Sequence, residues 1–183
     1  MKQKKIFLGI HVSPAVAKRL AQRVEKWLDL PMRFTKRENY HVTLLFLGYV
    51  LDESVVDTCQ SVEEAVRGIE PFELFLDRIT LMPEQGREAR MLWLTGEASE
   101  DLRILNQKLE QALGMFSAEK KSFRPHVTLA RVRATHWEKL VEHPVVDEPA
   151  SISIPVDSVT VFESVFRKGE GLLYESLGEY PLG

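Results

Sequence analysis

The residues best equipped for chemistry in this chain are two histidines, each followed two positions on by a threonine. His41 and Thr43 stand in one HVTL tetrapeptide, His126 and Thr128 in another, nearly half the chain apart. An imidazole with its ordinary pKa of about 6.5 divides between neutral and protonated forms near neutrality. A neutral ring can therefore take a proton from water while a protonated neighbour delivers one to a departing oxygen. Each role is typically worth about 10²–10⁴-fold in rate. Threonine hydroxyls can donate hydrogen bonds to non-bridging phosphate oxygens as charge builds there. Two imidazoles and two hydroxyls around one small volume would serve phosphoryl chemistry, with no metal required.

A lone histidine at the start of a strand is more often structural, and threonine is simply a good β-former. The doubled context lifts these four residues above that reading. Each motif follows a short polar, basic segment, RFTKRENY or EKKSFRP, and each opens an apolar run, VTLLFLG or VTLARV. Neither motif supplies the spaced His, Cys, Asp and Glu set of a zinc site, and no GxSxG nucleophile elbow occurs. His11, His136 and His143 sit in no repeated context and are read as surface residues.

Side chains on a strand alternate between faces, so His41 and Thr43 share one face while Val42 and Leu44 enter the other. The second motif repeats the arrangement. If the two halves of the chain are related by a pseudo-two-fold, both pairs converge in a groove between them.

The elements that must hold them follow from the rest of the sequence. Residues 4–12 read as a strand rich in β-formers. Ser13-Pro14 starts a helix, with Val16, Leu20, Val24 and Trp27 at helical spacing until Pro31. A strand from His41 ends at Gly48, and a helix over 52–67 is closed by Gly68. Residues 71–81 and 91–96 form a strand pair around a polar loop. Leu102, Leu105, Leu109 and Leu113 mark a third helix, stopped by Gly114. The second motif opens a strand at His126, and short strands over 151–154, 156–162 and 172–177 follow. The order, βαβαββαβ with a β-rich tail and no linker, predicts an α+β protein in which residues 1–183 form one bilobal unit around a cleft.

Composition sets the outer limits. At 183 residues the chain can bury a sizeable core. No apolar run approaches the ~20 residues of a membrane span, and the apolar part of MKQKKIFLGIHVSP is too short for a secretory signal. Cys59 is the single cysteine, so no internal disulfide forms and a cytoplasmic location is expected. A net charge of −3 does not describe the broad basic surface of a protein that tracks long polynucleotides. Yet Arg33, Lys36 and Arg37 cluster against Glu38 beside the first motif. Lys120, Lys121, Arg124, Arg131 and Arg133 cluster against Glu119 beside the second. This placement favours a compact anionic ligand.

RENYHVTLLFLG and SFRPHVTLAR resemble the paired HxTx motifs of the 2H phosphoesterase superfamily. Within it, they are most similar to the RNA 2′,3′-cyclic phosphodiesterases, formerly called 2′-5′ RNA ligases. IFLGI near the start and VFESVFRKGEGLLYE in the tail extend the likeness over most of the chain. Phe34 stands where such proteins often carry tryptophan. The resemblance implies two pseudo-symmetric lobes of antiparallel sheet, helices packed outside, facing across a V-shaped basic groove. It implies opening of an RNA-terminal 2′,3′-cyclic phosphate to a 2′-phosphate without metal or cofactor. RNA ends or short oligonucleotides would be the partners, no membrane is involved, and a monomer is expected.

Carried across by motif, His41 is the proton donor to the leaving O3′ and His126 the proton acceptor that activates water. Thr43 and Thr128 hold the phosphate. The spacing itself is symmetric and does not choose between the histidines. Arg131 enters as a further phosphate ligand and Phe7 as a platform for the terminal base. Strict alternation from His126, however, turns residue 131 away from the groove unless the strand bulges, and a core position is the rival reading of Phe7. Two other functions stay open: 2′-5′ joining of RNA ends in the same site, and non-catalytic binding of a nucleotide or phosphate.

Overall fold

Runs of β-branched and aromatic residues punctuated by glycine and polar turns give, among the described residues, nine strands linked in one antiparallel sheet. The structure, a computed structural model, describes residues 2–84, 88–115 and 123–183. Glu119, Lys120 and Lys121 lie outside the described residues. The strands are β1 (Gln3–His11), β2 (Met32–Phe34), β3 (His41–Leu51), β4 (Phe72–Met82), β5 (Met91–Thr95), β6 (His126–Val132), β7 (Asp147–Val156), β8 (Ser158–Arg167) and β9 (Gly171–Pro181). The helices are α1 (Pro14–Val24), α2 (Val55–Val66), α3 (Glu100–Ala112) and α4 (Ala134–Trp137). The expected α+β class with antiparallel pairing is what the chain adopts.

Spatially the strands run β7-β4-β5-β6-β3-β1-β8-β9, with β2 also beside β6. The two motif strands, β3 and β6, are neighbours at the middle. Their shared ladder is a single antiparallel pair, Val42 opposite Val127. Where β3 leaves the edge of β6, β2 takes over, pairing Arg33 with Arg131 and Phe34 with Ala130. The two sets of strands, β7-β4-β5-β6 and β3-β1-β8-β9, are thus joined through this one narrow seam.

The helices explain which face the motifs present. α1 starts at Ser13, whose hydroxyl accepts from the Val16 N–H at 3.5 Å, with Pro14 in the first turn. α3 is capped in the same way by Ser99, which accepts from the Leu102 N–H at 3.2 Å. The buried stripes of these helices, among them Leu20, Leu102, Leu105 and Leu109, pack into one core with Val42, Leu44, Val127 and Leu129. Helices thus cover the face the motif valines enter, leaving the histidines and threonines on the other. No helix among the described residues is long and apolar enough to cross a membrane.

Several boundaries differ from the sequence reading. α1 ends at Val24, and residues 25–27 tighten into a 3₁₀ turn instead of carrying the helix through Trp27. β3 does not stop at Gly48. A bulge places Gly48 at φ +75°, a left-handed conformation glycine adopts freely, and pairing continues to Leu51. β2 and α4 span three and four residues, too few to show a period. His143 is not a plain surface residue: its Nε2 is buried and its ring lies 6.1 Å from that of Trp137.

Candidate active site

Val42 and Val127 are antiparallel partners, so His41 and Thr43 flank one valine of the pair and His126 and Thr128 the other. All four flank the paired valines and so share the face opposite to them. A local two-fold axis passes through the valine pair.

Each strand then bulges at the residue after its threonine. In β6, Thr128 pairs with Trp93 but Ala130 with Leu92, leaving Leu129 extra. In β3, Thr43 pairs with Gly9 but Leu45 with Leu8, leaving Leu44 extra. One extra residue reverses the alternation of everything downstream. Leu129 and Ala130 are consequently both buried, and Arg131 turns onto the face of His126 and Thr128. Phe46, 63% exposed, does the same on β3. A groove of about 330 Å³ results. His41, Thr43 and Phe46 line one side and His126, Thr128 and Arg131 the other, with Trp93 and Tyr174 completing its wall.

The hydrogen bonds fix the tautomers. A carbonyl only accepts, so His41 Nδ1–H donates to the Asn39 carbonyl at 2.8 Å, and its Nε2 is the bare nitrogen, accepting from the Thr43 hydroxyl at 3.0 Å. His126 Nδ1–H donates to the Arg124 carbonyl at 3.0 Å. In both motifs the carbonyl two residues upstream holds the ring, so that Nε2 carries the lone pair.

The surroundings differ. His41 lies 4.9 Å from Phe7 and meets Tyr174 edge-on at 4.9 Å, with Phe162 at 5.9 Å (ring centroids throughout). Burial in this aromatic nest pushes its pKa down to about 4; the Asn39 carbonyl opposes the shift, while His126, His11 and Arg131 reinforce it. His126 stacks on Trp93, centroids 3.7 Å apart and planes 18° from parallel. Its pKa is also lowered, by burial first and then by the Arg124 and Arg131 charges, against the Arg124 carbonyl. Both rings are therefore neutral at pH 7 in the free protein, and an approaching anion would favour protonation of either. Opposite Thr43, Gly9 leaves room for this arrangement: a Cβ there would sit 2.8 Å from the Val42 carbonyl oxygen and 3.5 Å from the His41 ring.

Phe7 does not offer a face to a base. It is 2% exposed, enclosed by His41, Phe46, Phe162 and Tyr174, and forms part of the floor beneath His41. The exposed aromatic is Phe46, which strict alternation from Thr43 assigns to the wrong face. Trp93 and Tyr174 carry no motif and are brought in by strand pairing. Among the described residues, no group of three or more His, Cys, Asp or Glu side chains could hold a metal ion.

A family model described as the 2′-5′ RNA ligase superfamily matches residues 12–165. The chain belongs to that superfamily. Its relatives include the RNA 2′,3′-cyclic phosphodiesterase of Thermotoga maritima, 30% identical across 94% of this chain and 92% of its own. The Bacillus subtilis protein of the same name is 27% identical across 96% and 95%. Among solved structures, a protein of Thermus thermophilus superposes with a TM-score of 0.79 at 23% identity, covering 97% of both chains. E. coli LigT complexed with 3′-AMP gives 0.75 at 22% identity, covering 99% of both. These structures establish the superfamily fold for this chain.

Proposed function

We propose that this superfamily member is an RNA 2′,3′-cyclic phosphodiesterase that opens the terminal ring to a 2′-phosphomonoester without a metal ion. The observation that carries the reading is the meeting of two His–Thr pairs, on adjacent strands, in one groove. Relatives of that name aligning with nearly the whole chain support the substrate class.

The cyclic phosphate lies between the two rings. His126, through its bare Nε2, takes a proton from water as the oxygen attacks phosphorus opposite O3′. The P–O3′ bond breaks, and His41 delivers the proton on its Nε2 to the departing O3′. His41 acquires that proton as the anionic substrate arrives. Its Nε2 then donates instead of accepting, which frees the Thr43 hydroxyl for a phosphate oxygen. Thr128 donates to a second oxygen, and Arg131 balances the charge that accumulates at phosphorus. The division of roles follows the walls. Phe46 and Tyr174, which can face a base, stand on the His41 side, and O3′ belongs to the nucleoside.

The test is an oligonucleotide ending in 2′,3′-cyclic phosphate incubated with the protein and EDTA. A 2′-monoester formed at an EDTA-independent rate is expected. A 3′-monoester would reverse the assigned leaving group, and tight binding without turnover would make the groove a nucleotide-binding site.

A further inference from the structure

We propose that a second cavity beside the catalytic groove binds the nucleotide preceding the cyclic phosphate, so that the enzyme selects oligonucleotide ends over mononucleoside cyclic phosphates. This rests on the phosphodiesterase reading and names its substrate class. The cavity has a volume of about 380 Å³, within the range of sites that hold small ligands. It is continuous with the catalytic groove: Thr35, Asn39, Arg131 and Tyr174 line both.

Its charge is the informative feature. Arg33 on β2 lies directly opposite Arg131 on β6. Directly opposed residues share a face, so two guanidinium groups stand on one wall, an arrangement that repels itself. Neither has a carboxylate partner among the described residues. In a chain of net charge −3, a like-charged pair without a counter-ion is a seat for an anion. Lys36 adds a third cation to the wall, its Nζ donating to the Glu170 carbonyl at 3.0 Å. The Glu170 carboxylate is a single opposing charge.

The facing wall is the β8–β9 hairpin. There Phe166 is 76% and Leu172 40% exposed, apolar surfaces on which a base can lie. Asn39, two residues before His41, ties this hairpin to the catalytic strand by donating from Nδ2 to the Leu172 carbonyl at 3.0 Å. Catalytic groove, arginine pair and apolar patch thus follow the order of groups in an RNA end: cyclic phosphate with its nucleoside, linking phosphodiester, next base. A mononucleoside cyclic phosphate has no group for the second and third positions.

The test compares kcat/KM for a mononucleoside 2′,3′-cyclic phosphate and for a dinucleotide ending in the same group. The wild type should prefer the dinucleotide by about 10-fold or more, the scale of one charge-assisted contact, and the preference should shrink as salt rises. Arg33→Ala should remove most of that preference through KM while leaving mononucleotide turnover unchanged, and Arg33→Lys should retain part of it. Equal wild-type values for the two substrates, or an equal loss on both in Arg33→Ala, would overturn this inference and leave the phosphodiesterase reading standing. If neither substrate is turned over, that reading falls, and this one with it. If Arg33→Ala spares dinucleotide hydrolysis but suppresses 2′-5′ joining to a 5′-hydroxyl acceptor, the cavity holds the acceptor strand and the inference is overturned.

Discussion

His41 and His126 hold equivalent places on β3 and β6, yet their neighbourhoods have little in common. Each strand presents histidine, threonine and, past a bulge, one further side chain to the groove. On β3 that third residue is Phe46, and the imidazole sits among Phe7, Phe162 and Tyr174. On β6 it is Arg131, and the imidazole stacks on one indole with Arg124 and Arg131 close enough to repel its proton. The repeated backbone presents two equivalent imidazoles, the proposed proton carriers. On the proposed mechanism the unrepeated residues give them different partners, an aromatic half for sugar and base and a charged half for phosphate and water.

The sharpest way to break this comparison is to remove the rings. His41→Ala and His126→Ala should each lower kcat by about 10²–10⁴-fold. A substrate analogue with sulfur at the bridging 3′ position leaves as a thiolate without needing a proton. It should restore much of the rate to His41→Ala and none to His126→Ala in steady-state assays. Equal rescue would dissolve the distinction.

The third residues come next. Loss of a hydrogen bond to a charged group costs about 1.5–3 kcal/mol, so Arg131→Ala should lower kcat about 10–100-fold. Phe46→Ala should instead raise KM, because stacking of one base is worth about 1–3 kcal/mol. A kcat effect from Phe46→Ala larger than its KM effect would contradict the aromatic half's assignment. The threonines should matter less, about 2–10-fold each, as neutral hydrogen bonds do. Thr43→Val should cost more than Thr128→Val, since only Thr43 also bonds its own histidine.

The smallest effect concerns stability. His41 has its pKa pushed down to about 4 in the folded protein, against about 6.5 unfolded. The unfolded chain therefore binds more protons between those values. The stabilisation from neutral His41 is complete above about pH 6.5 and is lost as pH falls toward 4. Urea midpoints should decline less steeply over that window in His41→Asn than in the wild type. Ring NMR signals should place the His41 titration well below that of an exposed histidine, and added phosphate should raise it.

Much of the site was legible because the informative residues precede the irregularities. His41 and Thr43, or His126 and Thr128, are two apart on regular strand, so alternation places them correctly. Phe46 and Arg131 lie beyond a bulge at a leucine, and a leucine with leucine or alanine beside it carries no mark of being an extra residue. Phe7 was ambiguous because β1 is a central strand, and a run such as IFLGI is apolar on both faces. Trp93 and Tyr174 reach the groove only through the pairing of β5 and β9, a long-range consequence of topology that local pattern does not encode. The seam joining the two sets of strands was hidden for the same reason: nothing in two HVTL segments says that their valines pair with each other.

That valine pair also controls something the chemistry depends on. With one rung of backbone ladder between β3 and β6, the span from ring to ring is governed by how Val42 and Val127 press together on the reverse side, within a close-packed interior. The two strands behave as the jaws of a clamp whose pivot is a pair of isopropyl groups. On the proposed mechanism, trimming a methyl there would slacken the grip on phosphorus without altering any group that touches it, so the bite of the site would be adjusted from a side no substrate visits.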